Sequence, residues 1–351
     1  MALWLLRSGR HCEHESKFLN ENRIYLTWSG FKQNLSKLKD RKELHEYLEK
    51  FYPDFTKAHR SQNSGQIWAF TKRMKAGDWV CMPSKRKTIH IGEITGNYVY
   101  SDDAENPYYH HRTINWIETD VPRTNFDQDL LYSLGSISTI CQIKRNDSEE
   151  RIRAMQANGW KSVGVSIKTP VTNGDDDQDI VNGNEQEIDI EEIANDHIAR
   201  TIQAKFKGHG LEALVEAILK AKGFTTHRSD KGADGGIDIL AAPDTLGFGQ
   251  PRICVQVKSQ DSPLERPVLD QLVGTMQHVG ADQGLLVCWG GFKKTIKHEL
   301  PRLFFKVRMW DRSDLIDEFL KVYNDLDEDI KADIPLKRVW AVANQDNDDE
   351  D

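Results

Sequence analysis

Between Lys168 and Arg200 the chain carries ten acidic residues and no lysine or arginine. The heart of this tract, TPVTNGDDDQDIVNGNEQEIDIEE at 169 to 192, is punctuated by Gly and Asn and has little apolar surface to bury. Like charges at this density repel and extend a chain, so no single core can close across it. The 351 residues therefore divide into two working units, each long enough to bury a core of its own. We expect a first domain over 1–168, an acidic flexible linker over 169–195, a second domain over 196–340 and an acidic disordered tail over 341–351.

This division changes what the net charge means. The whole chain sums to −8, but setting aside the ten linker acids and the five after Arg338 leaves −8 + 15 = +7. Residues 1 to 168 hold 26 basic and 20 acidic residues, or +6, whereas 200 to 338 hold 21 and 20, or +1. If either unit makes sequence-independent phosphate contacts, the first is favoured, because neutralising phosphates is the work of Lys and Arg. The five cysteines are scattered, odd in number and without CxxC spacing, which argues against a disulfide framework or zinc ribbon and for a reducing, cytoplasmic setting. The opening MALWLLR has five consecutive apolar residues after the Met and no basic region before them, too short for a signal peptide or a membrane span.

In the first unit, strand-like runs (ALWLLR, RIYLTW, DWVCMP, TIHIGEI, HHRTINWI) surround helical ones. KDRKELHEYLEKF has 3.6-residue periodicity, and SGQIWAFTKRM is expected to start a helix capped at Asn63 or Ser64. The mixture predicts an α+β unit built on a small, partly open β-barrel. After the linker the order becomes helix, three strands, helix, strand, helix, which predicts an α/β layer fold. GLEALVEAILKAKG supplies the first helix, and FTTHRS, GGIDILA and RICVQVK the three strands.

The stretch CVQVK, 254 to 258, raises the chemical question. Alternation puts Val255 and Val257 on one face and Gln256 and Lys258 on the other, so this polar face is either left to solvent or built into a site. Asp238, in GADGGIDILAA, offers a carboxylate at a strand start where glycines let the backbone bend. Pairing of the two strands can bring Asp238 beside Gln256 and Lys258. A carboxylate and an amide carbonyl suit a hard cation such as Mg²⁺, and a lysine beside them can orient water or stabilise charge developing on a phosphate.

GLEALVEAILKAKGF, DGGIDILA, VQVK and QGLLVCWGGFKKTIKHEL, in that order, resemble the catalytic domain of Mrr-type restriction endonucleases over roughly residues 200 to 325. That branch of the PD-(D/E)xK nucleases carries QxK at the end of the motif. The resemblance implies a restriction-endonuclease-like fold with Asp238 and Gln256 at the metal, Lys258 as catalytic lysine and Glu212 as the helical glutamate. Mg²⁺ is the implied cofactor, with Mn²⁺ able to substitute, and double-stranded DNA the implied substrate. RIYLTW, NSGQIWAFTKRMKAGDWV and IHIGEITG are similar, more weakly, to the PUA-like group that includes EVE and YTH domains. Members of that group hold a modified nucleobase between aromatic walls, which implies Trp28 and Trp68 as pocket walls and Asn63 and Gln66 as polar partners.

Together these imply a modification-dependent restriction endonuclease directed at foreign DNA and working as a homo-oligomer. Two alternatives stay open: a nucleic-acid-binding protein whose nuclease fold is silent, since an amide binds metal less strongly than a carboxylate, and a nuclease acting on modified RNA. The ordinary readings are that Glu212 and Glu216 form a solvated helix edge, that His209 is a loop residue, and that most tryptophans are core. HCEH at 11 to 14 and YYHHR at 108 to 112 have no matching pair elsewhere and are not expected to hold a metal.

Overall fold

The computed structural model describes residues 1–136, 138–163, 189–229 and 236–340. Most of the acidic tract and the tail from 341 lie outside the described residues. The chain forms two compact units, Met1–Asp196 and His197–Asp351.

In the first unit the elements run β1 (Leu3–Leu6), α1 (Glu15–Glu21), β2 (Arg23–Leu26), α2 (Arg41–Phe51), α3 (Lys57–Trp68), β3 (Trp79–Pro83), β4 (Thr88–Ile94), β5 (Val99–Tyr100), β6 (His110–Pro122), α4 (Gln128–Leu134), β7 (Ile140–Ile143), α5 (Ser148–Ala157) and the start of α6 (Ile190–Lys205). The strands make one sheet in the order β2-β6-β4-β3-β1-β7, with β5 also on β6. β1 lies parallel to β3 and every other pairing is antiparallel. The long β6 pairs β2 and β5 through its first residues and β4 through the rest, with register shifts at Ile91 that curl the sheet into a half-barrel.

Alternation along β1 divides the two faces. Trp4 and Leu6 join a core with Phe18, Phe31, Leu44, Leu48 and Phe70, whereas Leu3 and Leu5 join one with Phe126, Leu130, Ile152 and Met155. Helices therefore cover both faces: α1 to α3 on one, α4 and α5 on the other.

The expected cap at Asn63 or Ser64 is not where the helix starts. α3 begins at Lys57, where the Thr56 hydroxyl accepts the His59 N–H at 3.2 Å, and Asn63 and Ser64 are buried in mid-helix. A cap signal counts only where the preceding chain is free to leave the helix, and here it is already helical. The helix then widens into a π-turn over Ala69–Arg73. Arg112, on β6, donates to the carbonyls of Phe70 (2.7 Å), Thr71 (3.1 Å) and Gly96 (3.2 Å), satisfying backbone acceptors around that turn.

The end of the tract read as linker is also ordered, since residues from Ile190 onward are helical. The buried Arg123 explains why. Its Nε and Nη2 donate to both carboxylate oxygens of Asp196 at 2.7 to 3.1 Å, and Nη1 lies 2.9 Å from Glu192. Burial alone would lower the Arg123 pKa, but Asp196 and Glu192 outweigh it and raise it. Two acids that a local count sees only as repulsive are thus neutralised by a cation far away in sequence.

The second unit, after α6, contains α7 (His209–Ala221), β8 (Thr225–Arg228), β9 (Ile239–Ala242), β10 (Ile253–Lys258), α8 (Arg266–Val279), β11 (Gln283–Cys288), the short α9 (Lys294–Lys297) and α10 (Leu300–Leu303), β12 (Val307–Trp310), α11 (Arg312–Val322) and α12 (Glu328–Asp333). Its sheet runs β12-β11-β10-β9-β8; β10, β11 and β12 are parallel, and β9 lies antiparallel to both β10 and β8. The helix-strand order read from the sequence is present, with β12 as a fifth strand that the sequence reading did not include.

Val255 and Val257 pack under Leu214, Val215 and Ile218 of α7 and Leu315 and Phe319 of α11. The opposite face of β10 is not left to solvent, because Leu269, Leu272 and Met276 of α8 cover Cys254, Leu286 and Cys288. Each such side chain contributes about 1.5–3 kcal/mol by leaving water. β10 is thus clamped between two apolar layers, and Gln256 and Lys258 stand where the second layer ends. Among the described residues no helix is long and apolar enough to cross a membrane.

Candidate active site

β9 meets β10 with Ile239 opposite Val255 and Leu240 opposite Cys254, so continuing the register places Asp238 level with Gln256. Asp238 extends the pairing by donating its N–H to the Val255 carbonyl at 3.1 Å. Its side chain turns back to β10, where Oδ2 accepts the Val257 N–H at 2.6 Å. Lys258 Nζ lies 4.0 Å from the same oxygen, with both side chains partly exposed. A bond from fixed backbone and a nearby ammonium both hold this carboxylate in place.

Gln256 is 1% exposed, and its Oε1 has no hydrogen-bond partner among the described residues. An amide oxygen buried without a partner costs about 1–3 kcal/mol, so a native structure that keeps one needs a reason for it. Level with the Asp238 carboxylate, that reason fits a cation: one carboxylate and one carbonyl are hard oxygen donors of the kind Mg²⁺ or Mn²⁺ takes. No soft ligand intrudes. Burial, and then the charge of Asp238, push the adjacent Cys254 thiol up to about 11, leaving it protonated.

Gly236 and Gln271 enter the site without having been singled out in the sequence. Gly236 has φ of +85°, and a Cβ placed there would sit 2.7 Å from Gln271 Nε2 and 3.1 Å from Gln256 Nε2. The backbone leading to Asp238 therefore runs close against two amides, an approach only glycine allows. The paired glycines before Asp238 were the available signal; Gln271, exposed on α8, gave none. Gly236→Ala is expected to cost about 1–2 kcal/mol through its left-handed φ, and to reduce cleavage more than tenfold by displacing Gln256. Cleavage rates equal to the unaltered chain's would show that the Gln256 position does not matter.

Glu212 lies in the first turn of α7 and pairs with His209 at 2.9 Å. It comes from the layer over Val255 and Val257, the other side of β10 from the Gln256 side chain. Glu216 is tied to Lys220 at 3.0 Å and to the Thr226 hydroxyl at 2.9 Å, a helix-to-strand clasp.

In the first unit, Trp28 and Trp68 are partly buried against one apolar cluster, and Asn63 is buried. Gln66 Oε1 accepts the Ile140 N–H at 2.9 Å, which commits its carbonyl to the edge of β7.

A second group of ligand types, Glu15, His90 and Asp120, lies together in this unit. Its bonds are already made: the Asp120 N–H donates to His90 Nδ1 at 3.0 Å, so Nε2 carries the proton and donates to Glu15 at 3.1 Å. Neither HCEH nor YYHHR supplies this group; His14 bonds the Tyr108 hydroxyl at 2.9 Å.

Residues 203–319 match the family model described as a restriction endonuclease, and residues 4–143 match a domain family of unknown function. No curated protein matches the chain. Two solved structures are similar over much of its length. The DNA modification-dependent restriction endonuclease AspBHI is 11% identical, with 80% of this chain and 76% of that one covered and a TM-score of 0.33. The MspJI restriction endonuclease in complex with a 27-mer oligonucleotide is 13% identical, with 95% and 80% covered and a TM-score of 0.32. At these scores neither likeness carries a structural inference.

Proposed function

We propose that this chain, whose residues 203–319 match a restriction endonuclease family, is a DNA endonuclease that cuts double-stranded DNA carrying a modified base, in the cytoplasm and against foreign DNA. What supports the cutting chemistry is the approach of Lys258 to Asp238 at the ends of β9 and β10, with Gln256 level with Asp238 and its oxygen without a hydrogen-bond partner among the described residues. Asp238 and Gln256 would hold a divalent cation, which when bound polarises the phosphate and lowers the pKa of a coordinated water. Lys258 neutralises charge that grows on the phosphate oxygens during cleavage, from an ammonium already oriented by Asp238. Glu212 is assigned an outer supporting role through α7.

The first unit is read as a PUA-like module, supported by its curled, mainly antiparallel sheet and by the +6 balance of residues 1 to 168. Trp28 and Trp68 are the assigned walls for a flipped base, with Asn63 and Gln66 as neighbouring polar groups. Each centre holds one set of cutting residues for one strand, so a duplex break calls for a homo-oligomer.

Plasmids containing methylated, hydroxymethylated, glucosylated or plain cytosine, incubated with the purified chain in EDTA, Mg²⁺ or Mn²⁺, test this directly. Fragments are expected only with a divalent cation and preferentially from one modified plasmid. Intact plasmid under every condition would favour a silent nuclease fold, and equal cutting of all four would remove the reader.

A further inference from the structure

Much of the +6 balance of residues 1 to 168 falls in one segment. From Trp28 to Lys42 there are five basic residues, Lys32, Lys37, Lys39, Arg41 and Lys42, against the single acid Asp40, a net +4. Phe31, Leu35 and Leu38 are buried in the core beneath α2 and α3, whereas Lys32, Lys37, Lys39 and Lys42 are all exposed. Lys37, Lys39 and Lys42 have no ion-pair partner among the described residues. A solvated surface run would explain the exposure but not what holds the segment.

Apart from one short 3₁₀ turn, the stretch between β2 and α2 has no regular structure of its own, yet it is fixed from many sides. Asn106 accepts the Gly30 N–H at 2.7 Å and donates to the Ser29 hydroxyl at 3.0 Å; the Tyr52 hydroxyl donates to the Ser29 carbonyl at 3.0 Å. His110 Nε2–H donates to the Phe31 carbonyl at 2.7 Å, leaving Nδ1 to accept the Tyr98 hydroxyl, also at 2.7 Å. Tyr98 in turn accepts the Leu35 N–H at 3.2 Å. Burial pushes His110 down to about 4, so the direction of this relay is constant near neutral pH. Lys72 reaches the Ser36 carbonyl at 2.9 Å, with its ammonium 5.9 Å from the Trp68 ring.

We propose that Trp28–Lys42 is the phosphate-docking edge of the first unit, with Lys37, Lys39 and Lys42 contacting the DNA backbone and the Tyr98–His110 relay and Asn106 holding the segment rigid. Its partner is a polyanionic duplex, because the segment offers ammonium groups at several points along an anchored chain. Trp28 opens the segment and Trp68 borders it through Lys72. Phosphate contacts here would therefore set where a flipped base is presented, while carrying no base information themselves. The proposal rests on the reading that this unit binds DNA, but not on Trp28 or Trp68 reading a modification.

The test is duplex binding by the full chain in EDTA, measured against NaCl concentration on modified and plain DNA. Replacing Lys37, Lys39 and Lys42 together by Gln is expected to reduce the slope of log affinity against log salt by about 3, and affinity at moderate salt by roughly 10- to 100-fold, alike on both DNAs. Replacing the equally exposed Lys144, Arg145 and Lys161 by Gln is the charge-matched control and should leave the slope unchanged. Tyr98→Phe keeps every charge, so it should keep the slope and lose about 5-fold in affinity.

An unchanged slope in the first variant, or an equal drop in the control, would overturn the docking assignment. Unaltered affinity in Tyr98→Phe would overturn the holding role. A wild-type chain that binds modified and plain DNA equally would remove the base reader alone, leaving the salt comparison to stand or fall by itself.

Discussion

Lys258→Ala is expected to lower the rate of DNA cleavage by about 10²–10³-fold, the loss typical when one preorganised donor to a developing oxyanion is removed. Affinity for DNA should change little, because the side chain meets the phosphate most strongly in the transition state. Asp238→Asn should be more severe. It removes the charge proposed to hold the cation and lying 4.0 Å from Lys258, and it puts an amide where Oδ2 accepts the Val257 N–H. Single-turnover cleavage with saturating protein separates these effects from binding. Retention of more than a tenth of the wild-type rate by both variants would refute the assigned chemistry.

The largest expected stability effect lies in the first unit. Arg123→Ala leaves Asp196 buried without its cation and Glu192 with only Arg7, at 3.4 Å, and removing one partner of a buried ion pair costs about 3–5 kcal/mol. At roughly 2–4 °C per kcal/mol for a unit of this size, its melting midpoint should fall by about 6–20 °C. Adding Glu192→Gln and Asp196→Asn to Arg123→Ala should recover part of the loss, since neutral amides tolerate burial better than lone carboxylates. A midpoint within about 2 °C of wild type in the single variant would mean that the start of α6 is held by something other than these charges.

Those two sites also mark how far the sequence could be read. The placement of Asp238 beside Gln256 and Lys258 on neighbouring strands was legible because strand alternation and an antiparallel partner are local rules, and the spacing between GIDILA and VQVK leaves room for one hairpin. The order of helices and strands in the second unit followed from periodicity in the same way. Arg123 was not legible: nothing local shows that it neutralises acids more than sixty residues on, so residues 190–195 read as repulsive linker. Asn63 and Ser64 looked like caps for a similar reason, since the helix that swallows them starts at Thr56. Gln271 was silent because an exposed glutamine on an amphipathic helix looks like any other until Gly236 is seen beneath it.

Having Gln rather than Glu at 256 has an electrostatic consequence. The three side chains at the end of β9 and β10 then sum to zero formal charge, one carboxylate against one ammonium. A second acid would give that corner a net negative charge and set it against an approaching polyanion. If these three set the local field, duplex affinity in EDTA is expected to approach that in Ca²⁺, with DNA binding preceding the cation rather than waiting for it.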